Sequence, residues 1–250
     1  MSSLVVSGKT PYRATTPEVM QEAAVMLIAA AGIACIGSHT SGMTVFIAFL
    51  LIARFALLYR RGDLVVFFLG ILLGGGNDVL SMWKGVYWYT PPTLLPVPIP
   101  AWMVVFWGEA FLFFRRLMRY PTFVADETIS RRIDLPLALD LIMLIPLKMM
   151  LYRCAAIPWV PDVVFATALL LRYLIAPPMP HERRLLLTIL ILGPFYEALL
   201  IYSGLYVYQH GIFLGMPLWL IVYWIYIFRI LKAIQDRLEL RLSIPQTSRG

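Results

Sequence analysis

The sequence predicts an all-α integral membrane protein of about eight transmembrane helices, arranged as two parallel four-helix repeats. Three observations carry that expectation. Hydrophobic residues make up 60% of the 250-residue chain and charged residues 14%, with a mean hydropathy of +0.79, whereas a soluble domain usually carries about 25% charged residues. The apolar runs are continuous rather than alternating, and in lipid only helices and closed barrels leave no backbone polar group unpaired, so such runs read as helices. Lastly, two stretches copy one another. Asp63 to Gly74, then Asp78, Gly85, Tyr87 and Tyr89, match Glu182 to Gly193, then Glu197, Gly204, Tyr206 and Tyr208, each pair 119 residues apart (197 − 78). After the connecting loop the match resumes at an offset of 117 (217 − 100), pairing Pro100 with Pro217, Trp102 with Trp219, Trp107 with Trp224 and Phe111 with Phe228.

A helix needs roughly 17–25 apolar residues to cross ~30 Å of hydrocarbon. The first such run, 19–37, comes after a polar tail with Lys9, Arg13 and Pro17 and is longer than a secretory signal core, so it reads as a retained anchor. The second, 41–59, carries Arg54-Phe55, which stands before Asp63 much as Arg172-Tyr173 stands before Glu182. The third, 64–88, contains Gly74-Gly75-Gly76 and Asp78; the fourth, 99–118, opens at Pro100 and contains Glu109. Spans at 135–153, 160–176, 184–208 and 213–235 repeat the series. The organisation is therefore a first repeat over 1–120, a cytoplasmic linker over 121–133 holding Asp126, Glu127, Arg131 and Arg132, a second repeat over 134–240 and a tail over 241–250. Cys35 and Cys154 make no disulfide framework and read as buried free thiols.

Arg60, Arg61, Arg115, Arg116, Arg119, Arg131, Arg132, Arg183, Arg184, Lys232, Arg237 and Arg241 fall between or after alternate spans, while the segments around 38–40, 90–98 and 209–212 hold no Lys or Arg. The positive-inside rule then places both termini in the cytoplasm, with the plasma (inner) membrane as the expected location. An even number of spans per repeat makes the halves parallel. The net charge of +7 is accordingly a topology signal and an attraction to anionic lipid, with no nucleic-acid partner expected. Oligomeric state is not readable.

Asp78 and Glu197 each lie 15 residues beyond the acid that opens their span (78 − 63, 197 − 182), hence ~22 Å along a helix from its inner end. An ionisable group at such depth costs roughly 2.5–3.5 kcal/mol and should face the bundle interior with a partner or be protonated. A catalytic acid and an interhelical hydrogen bond are the two readings. Candidate charge partners are Lys84, Lys148, Arg54 and Arg172; for the two arginines, snorkelling to the interface competes. Glu109 lies at a similar depth and is expected to act with Asp78, whereas its counterpart in the second repeat is Tyr226. Asp140 reads as a solvated or capping acid.

Tyr87, Tyr89, Tyr206 and Tyr208 close spans three and seven, and Trp102 and Trp219 open spans four and eight. An interfacial aromatic belt explains such residues in part. Read as helix ends, i and i+2 face different ways, so one tyrosine of each pair would face inward. With Tyr226 they could line a substrate site, where aromatic faces stabilise a cation. His39, His181 and His210 lack metal-ligand spacing and the glycine run has no Gly-Lys-Ser/Thr sequel, so no metal or other cofactor is expected.

An acid followed by Gly-x-Tyr-x-Tyr, a short loop and a Pro-x-Trp helix start resembles integral-membrane carotenoid-modifying enzymes, namely the carotenoid hydratases and the lycopene cyclases of duplicated helical segments. The matching residues are Asp78, Gly85, Tyr87, Tyr89, Pro100 and Trp102, then Glu197, Gly204, Tyr206, Tyr208, Pro217 and Trp219. The cyclases open the following helix with Pro-x-Glu-Glu; Pro100-Ala101-Trp102 and Gly215-Met216-Pro217-Leu218-Trp219 are closer to the hydratase pattern. The resemblance implies acid-initiated, redox-neutral cyclisation or hydration of a polyene or terpenoid lipid. A proton- or cation-coupled transporter or lipid carrier, or a non-catalytic membrane subunit, are the alternatives.

Overall fold

The computed structural model describes residues 12–93, 97–124 and 134–242. Its elements run α1 (Thr16–Ile36), α2 (Thr40–Leu58), α3 (Asp63–Trp83), β1 (Tyr87–Tyr89), α4 (Ala101–Met118), α5 (Leu135–Cys154), α6 (Val160–Ile175), α7 (Pro180–Tyr202), β2 (Tyr206–Tyr208) and α8 (Leu218–Leu242). Six of these helices, α1, α2, α3, α5, α7 and α8, are long and apolar enough to cross a membrane, the make-up of an integral membrane protein. The other two differ for visible reasons. Helix α4 has 18 residues but carries Glu109, Arg115 and Arg116, and α6 has 16 residues. Most of the sequence-predicted linker and tail lie outside the described residues.

Local signals set the helix ends. A capping box of Thr15 and Glu18 with Pro17 in the first turn starts α1, and the Asp134 side chain accepts from the Leu137 N–H to start α5. Spans three and seven end earlier than the apolar runs suggest. Gly85 (φ +68°) and Gly204 (φ +67°) reverse the chain in the left-handed region. Val86 N–H bonds to Ser81 O and Gly85 N–H to Met82 O, and Leu205 and Gly204 repeat this with Leu200 and Ile201. Beyond each glycine the chain is extended.

Those extended residues pair antiparallel, in register Tyr87 with Tyr208, Trp88 with Val207 and Tyr89 with Tyr206. Since Tyr87 and Tyr206 are 119 apart, as are Trp88 and Val207 and Tyr89 and Tyr208, the ladder has a local twofold centred on the Trp88–Val207 pair. Helix α4 packs against α1, α2 and α3, and α8 packs against α5, α6 and α7. The buried side chains concentrate on α4 and α8, while α1, α2, α5 and α6 expose large apolar residues such as Leu27, Phe49, Ile142 and Leu174, as lipid-facing helices do. Ala14 N–H bonds to Arg119 O and Arg119 pairs with Asp236, so the described N-terminal and C-terminal segments lie at one end of the bundle. Cys35 is exposed and Cys154 half-buried, contrary to the expectation of two buried thiols: both sit at the ends of outer helices.

Candidate functional site

Helix α3 reaches Asp78 through a π-helical turn at Ile71–Gly75, a local widening often found at functional sites. A β-carbon at Gly74 would overlap the Trp107 indole, so glycine lets α4 lay that ring against α3. Trp107 Nε1 then donates to Asp78 Oδ2 at 2.7 Å. Past the Gly85 turn, Tyr87 Oη donates to Asp78 Oδ1 at 2.6 Å and Tyr89 Oη to Oδ2 at 3.0 Å. Asp78 is buried and accepts three hydrogen bonds, all from neutral donors.

Glu197 on α7 has the matching surroundings. Gly193 sits under Trp224, where a β-carbon would stand 2.9 Å from the ring, and the carboxyl lies near Tyr208 and Trp224, the counterparts of Tyr89 and Trp107. It has no counterpart of the third donor. Glu197 Oε2 is buried without a hydrogen-bond partner.

The two acids meet across the tyrosines. In a strand, i and i+2 share a face, so both tyrosines of each pair point inward and Trp88 and Val207 point out; the expectation of one inward tyrosine per pair is corrected by this change of secondary structure. Ring centroids are 5.2 Å apart for Tyr87–Tyr208, 5.6 Å for Tyr87–Tyr206 and 5.3 Å for Tyr89–Tyr206. Tyr87 lies near both Asp78 and Glu197. Trp219 extends the cluster, 6.2 Å from Tyr208, and its backbone N–H is held by Asp162. Two further contacts cross between the halves: Tyr223 Oη donates to Asn77 at 2.9 Å, and Tyr196, the Asn77 counterpart, stacks on Phe106, the Tyr223 counterpart, at 5.3 Å.

Other expected residues lie elsewhere. Trp102 is fully buried in the same apolar core, and Tyr226 Oη faces the Met143 sulfur at 4.0 Å. Lys148 Nζ approaches Ser81 Oγ at 3.4 Å and lies over the Tyr223 ring at 4.5 Å, and its charge acts on Asp78. Lys84 is exposed just past α3. Glu109 is buried with neither carboxyl oxygen hydrogen-bonded, and its electrostatic neighbours are Arg54, Glu22 and Asp63 rather than Asp78.

Arg54 and Arg172 do not snorkel. Arg54 bridges Glu22 at 2.6 Å and Asp63 at 2.7 Å, and Asp63 also takes Arg115 at 2.5 Å and Arg116 at 2.9 Å. Arg115 continues to Glu239 on α8 at 2.7 Å. In the second half Asp140 holds Arg172 at 2.7 Å and Arg229 at 3.0 Å, with Glu182 on Arg229 at 3.1 Å. Asp140 is thus a buried ion-pair partner, not a solvated acid, because the guanidinium groups of α6 and α8 close over it. Glu22 and Asp140 are 118 apart, as are Arg54 and Arg172 (172 − 54). Trp107, Trp224, Glu22 and Asp63 are the site and network residues that reasoning from the sequence missed, although the 117 offset already pairs the two tryptophans. Of the cavities, one is an apolar groove lined by Leu73, Phe111, Phe114 and Leu231, and another is a polar cavity at the ion-pair end. Neither borders Asp78 or Glu197.

No family model and no curated protein matches the chain. Among solved structures, a crystal structure of a cross-linked trimer of MvINS is similar, with a TM-score of 0.55 and 18% identity over 72% of this chain and 95% of that one. The likeness is one of fold.

Proposed function

We propose that the chain is a membrane enzyme of acid-initiated, redox-neutral chemistry on an unsaturated lipid-like substrate, a polyene or terpenoid, with Glu197 as the proton donor. The observation that supports this reading is the unequal satisfaction of two matched acids. Asp78 has three donors and serves as a fixed acceptor that orients Tyr87, Tyr89 and Trp107, while Glu197 Oε2 is unpartnered and has a proton position to spare. A protonated Glu197 transfers its proton to one carbon of a double bond, the aromatic rings shield the cation, and the carboxylate regains a proton from the adjacent carbon or from an attacking water. The product is an isomer of the substrate or its hydrate.

The same reading includes a tandem duplication with parallel halves, α4 and α6 also crossing the bilayer, and both ends cytoplasmic. The constant offsets and the local twofold of the Tyr87–Tyr208 ladder support it.

The test is expression in a host that makes polyenes, with mass spectrometry of the lipid extract beside Glu197→Gln. A species isomeric with a precursor or heavier by one water, absent from the variant, is the expected result. The second reading, a structural clasp between the halves, is favoured by the saturation of Asp78 and by the placement of both cavities away from the acids. An extract unchanged from the host alone selects the clasp, and proton-coupled lipid movement without a new product selects a carrier.

A further inference from the structure

At the ion-pair end of the bundle, a cavity of about 150 Å³ opens between the first turns of α1 and the last turn of α2, lined by Glu18, Gln21, Glu22, Tyr59, Arg60 and Arg116 with Leu57 and Leu58. We propose that this cavity is a headgroup site for a zwitterionic phosphate ester, one bearing an ammonium group, as in phosphatidylethanolamine.

Charge balance points to that class. The lining holds two carboxylates and two guanidinium groups, so a ligand with a net charge gains on one side what it loses on the other, whereas a ligand carrying both signs satisfies both. The groups are held in place before a ligand arrives. Glu22 and Arg116 are each 1% exposed, Glu22 is fixed by Arg54 and Arg116 by Asp63, and the Glu18 carboxylate is oriented by the Thr15 N–H at 2.8 Å. Arg60 is the exposed member, its side chain 58% exposed and paired to Glu18 Oε1 at 2.8 Å. It can turn to a phosphate while the freed Glu18 oxygen takes the ammonium, an exchange of one charge-assisted pair for two.

Size and position agree. The cavity is about ten times the ~10–15 Å³ of probe-occupied space that one water needs, enough for a phosphoethanolamine group. Leu57 and Tyr59, exposed beside it on the last turn of a lipid-facing helix, continue the wall where acyl chains would run.

The test is lipid retention by the whole purified chain, equilibrated with equal amounts of phosphatidylethanolamine and phosphatidylglycerol and read by native mass spectrometry. We expect about a tenfold preference for the zwitterion, the worth of one charge-assisted bond. Gln21→Trp, which fills the cavity from an exposed position, and Arg60→Gln should each abolish it. Soluble glycerophosphoethanolamine distinguishes sources: displacement of the lipid at equal concentration assigns the site to a free phosphate ester, and no displacement assigns it to the lipid. Equal retention of both lipids by the wild type, or a preference that survives in either folded variant, overturns the proposal.

Discussion

Gly74 lies directly beneath the indole of Trp107, and it is this absence of a β-carbon that brings Trp107 Nε1 to within 2.7 Å of Asp78. Gly74→Ala should therefore force the ring away, at a cost of about 1–3 kcal/mol from overpacking plus about 1 kcal/mol from the lost interhelical bond. Gly193→Ala should cost less, because its β-carbon would meet Trp224 at 2.9 Å and the ring can give. Thermal unfolding in detergent, with tryptophan fluorescence as the readout, checks the order of the two variants; equal stability would mean that Trp107 has another place to go.

The glycines that end α3 and α7 make a cleaner case. A β-carbon at Gly85 or Gly204 meets nothing within 4 Å, so alanine there carries only the strain of a left-handed backbone, roughly 1–2 kcal/mol per position. The two single variants should lose the same stability. The double variant should lose the sum, and additivity is what unfolding midpoints would show unless one turn depends on the other.

The length scale of each signal decides how much of the fold and site is legible in the sequence. Twenty-residue apolar runs report helices directly, so eight helices are readable, and the constant offset between Asp78 and Glu197 marks both acids from the sequence alone. Tyr87–Tyr89 is not legible as a strand, since three residues carry too little periodicity to separate an extended segment from a helix end, and a helical reading turns one tyrosine of each pair outward. The ion-pair network is hidden for a different reason. Arg54, Glu22, Asp63 and Arg116 come from four helices whose closure no local pattern records, and Asp140 reads as solvated because its partners lie 32 and 89 residues away.

That network is where the largest stability losses are expected. Arg54 is fully buried between Glu22 and Asp63, and removing one member of a buried pair typically costs about 3–5 kcal/mol because the other charge stays behind. Arg54→Met and Arg172→Met should each show this loss in thermal unfolding. Adding Glu22→Leu to Arg54→Met should recover part of it, whereas an additive double variant would show that Glu22 does not depend on Arg54.

The two central acids should respond differently to the same chemistry. Asp78 Oδ2 receives both Tyr89 and Trp107 while Oδ1 receives Tyr87 alone. An asparagine can keep its oxygen at the doubly bonded position and turn its amide nitrogen to Tyr87, whose hydroxyl rotates and accepts, so Asp78→Asn should be nearly neutral. Asp78→Leu leaves three buried donors without an acceptor, each worth about 1–3 kcal/mol, and should be severely destabilising. At Glu197 the unpartnered Oε2 accommodates an amide nitrogen with no bond broken, so Glu197→Gln should unfold at the wild-type temperature while losing the proposed chemistry. Thermal unfolding of the three variants beside product analysis separates the roles. Should Glu197→Gln prove as unstable as Asp78→Leu, its free oxygen is engaged in the folded protein and the pair of acids works as a clasp.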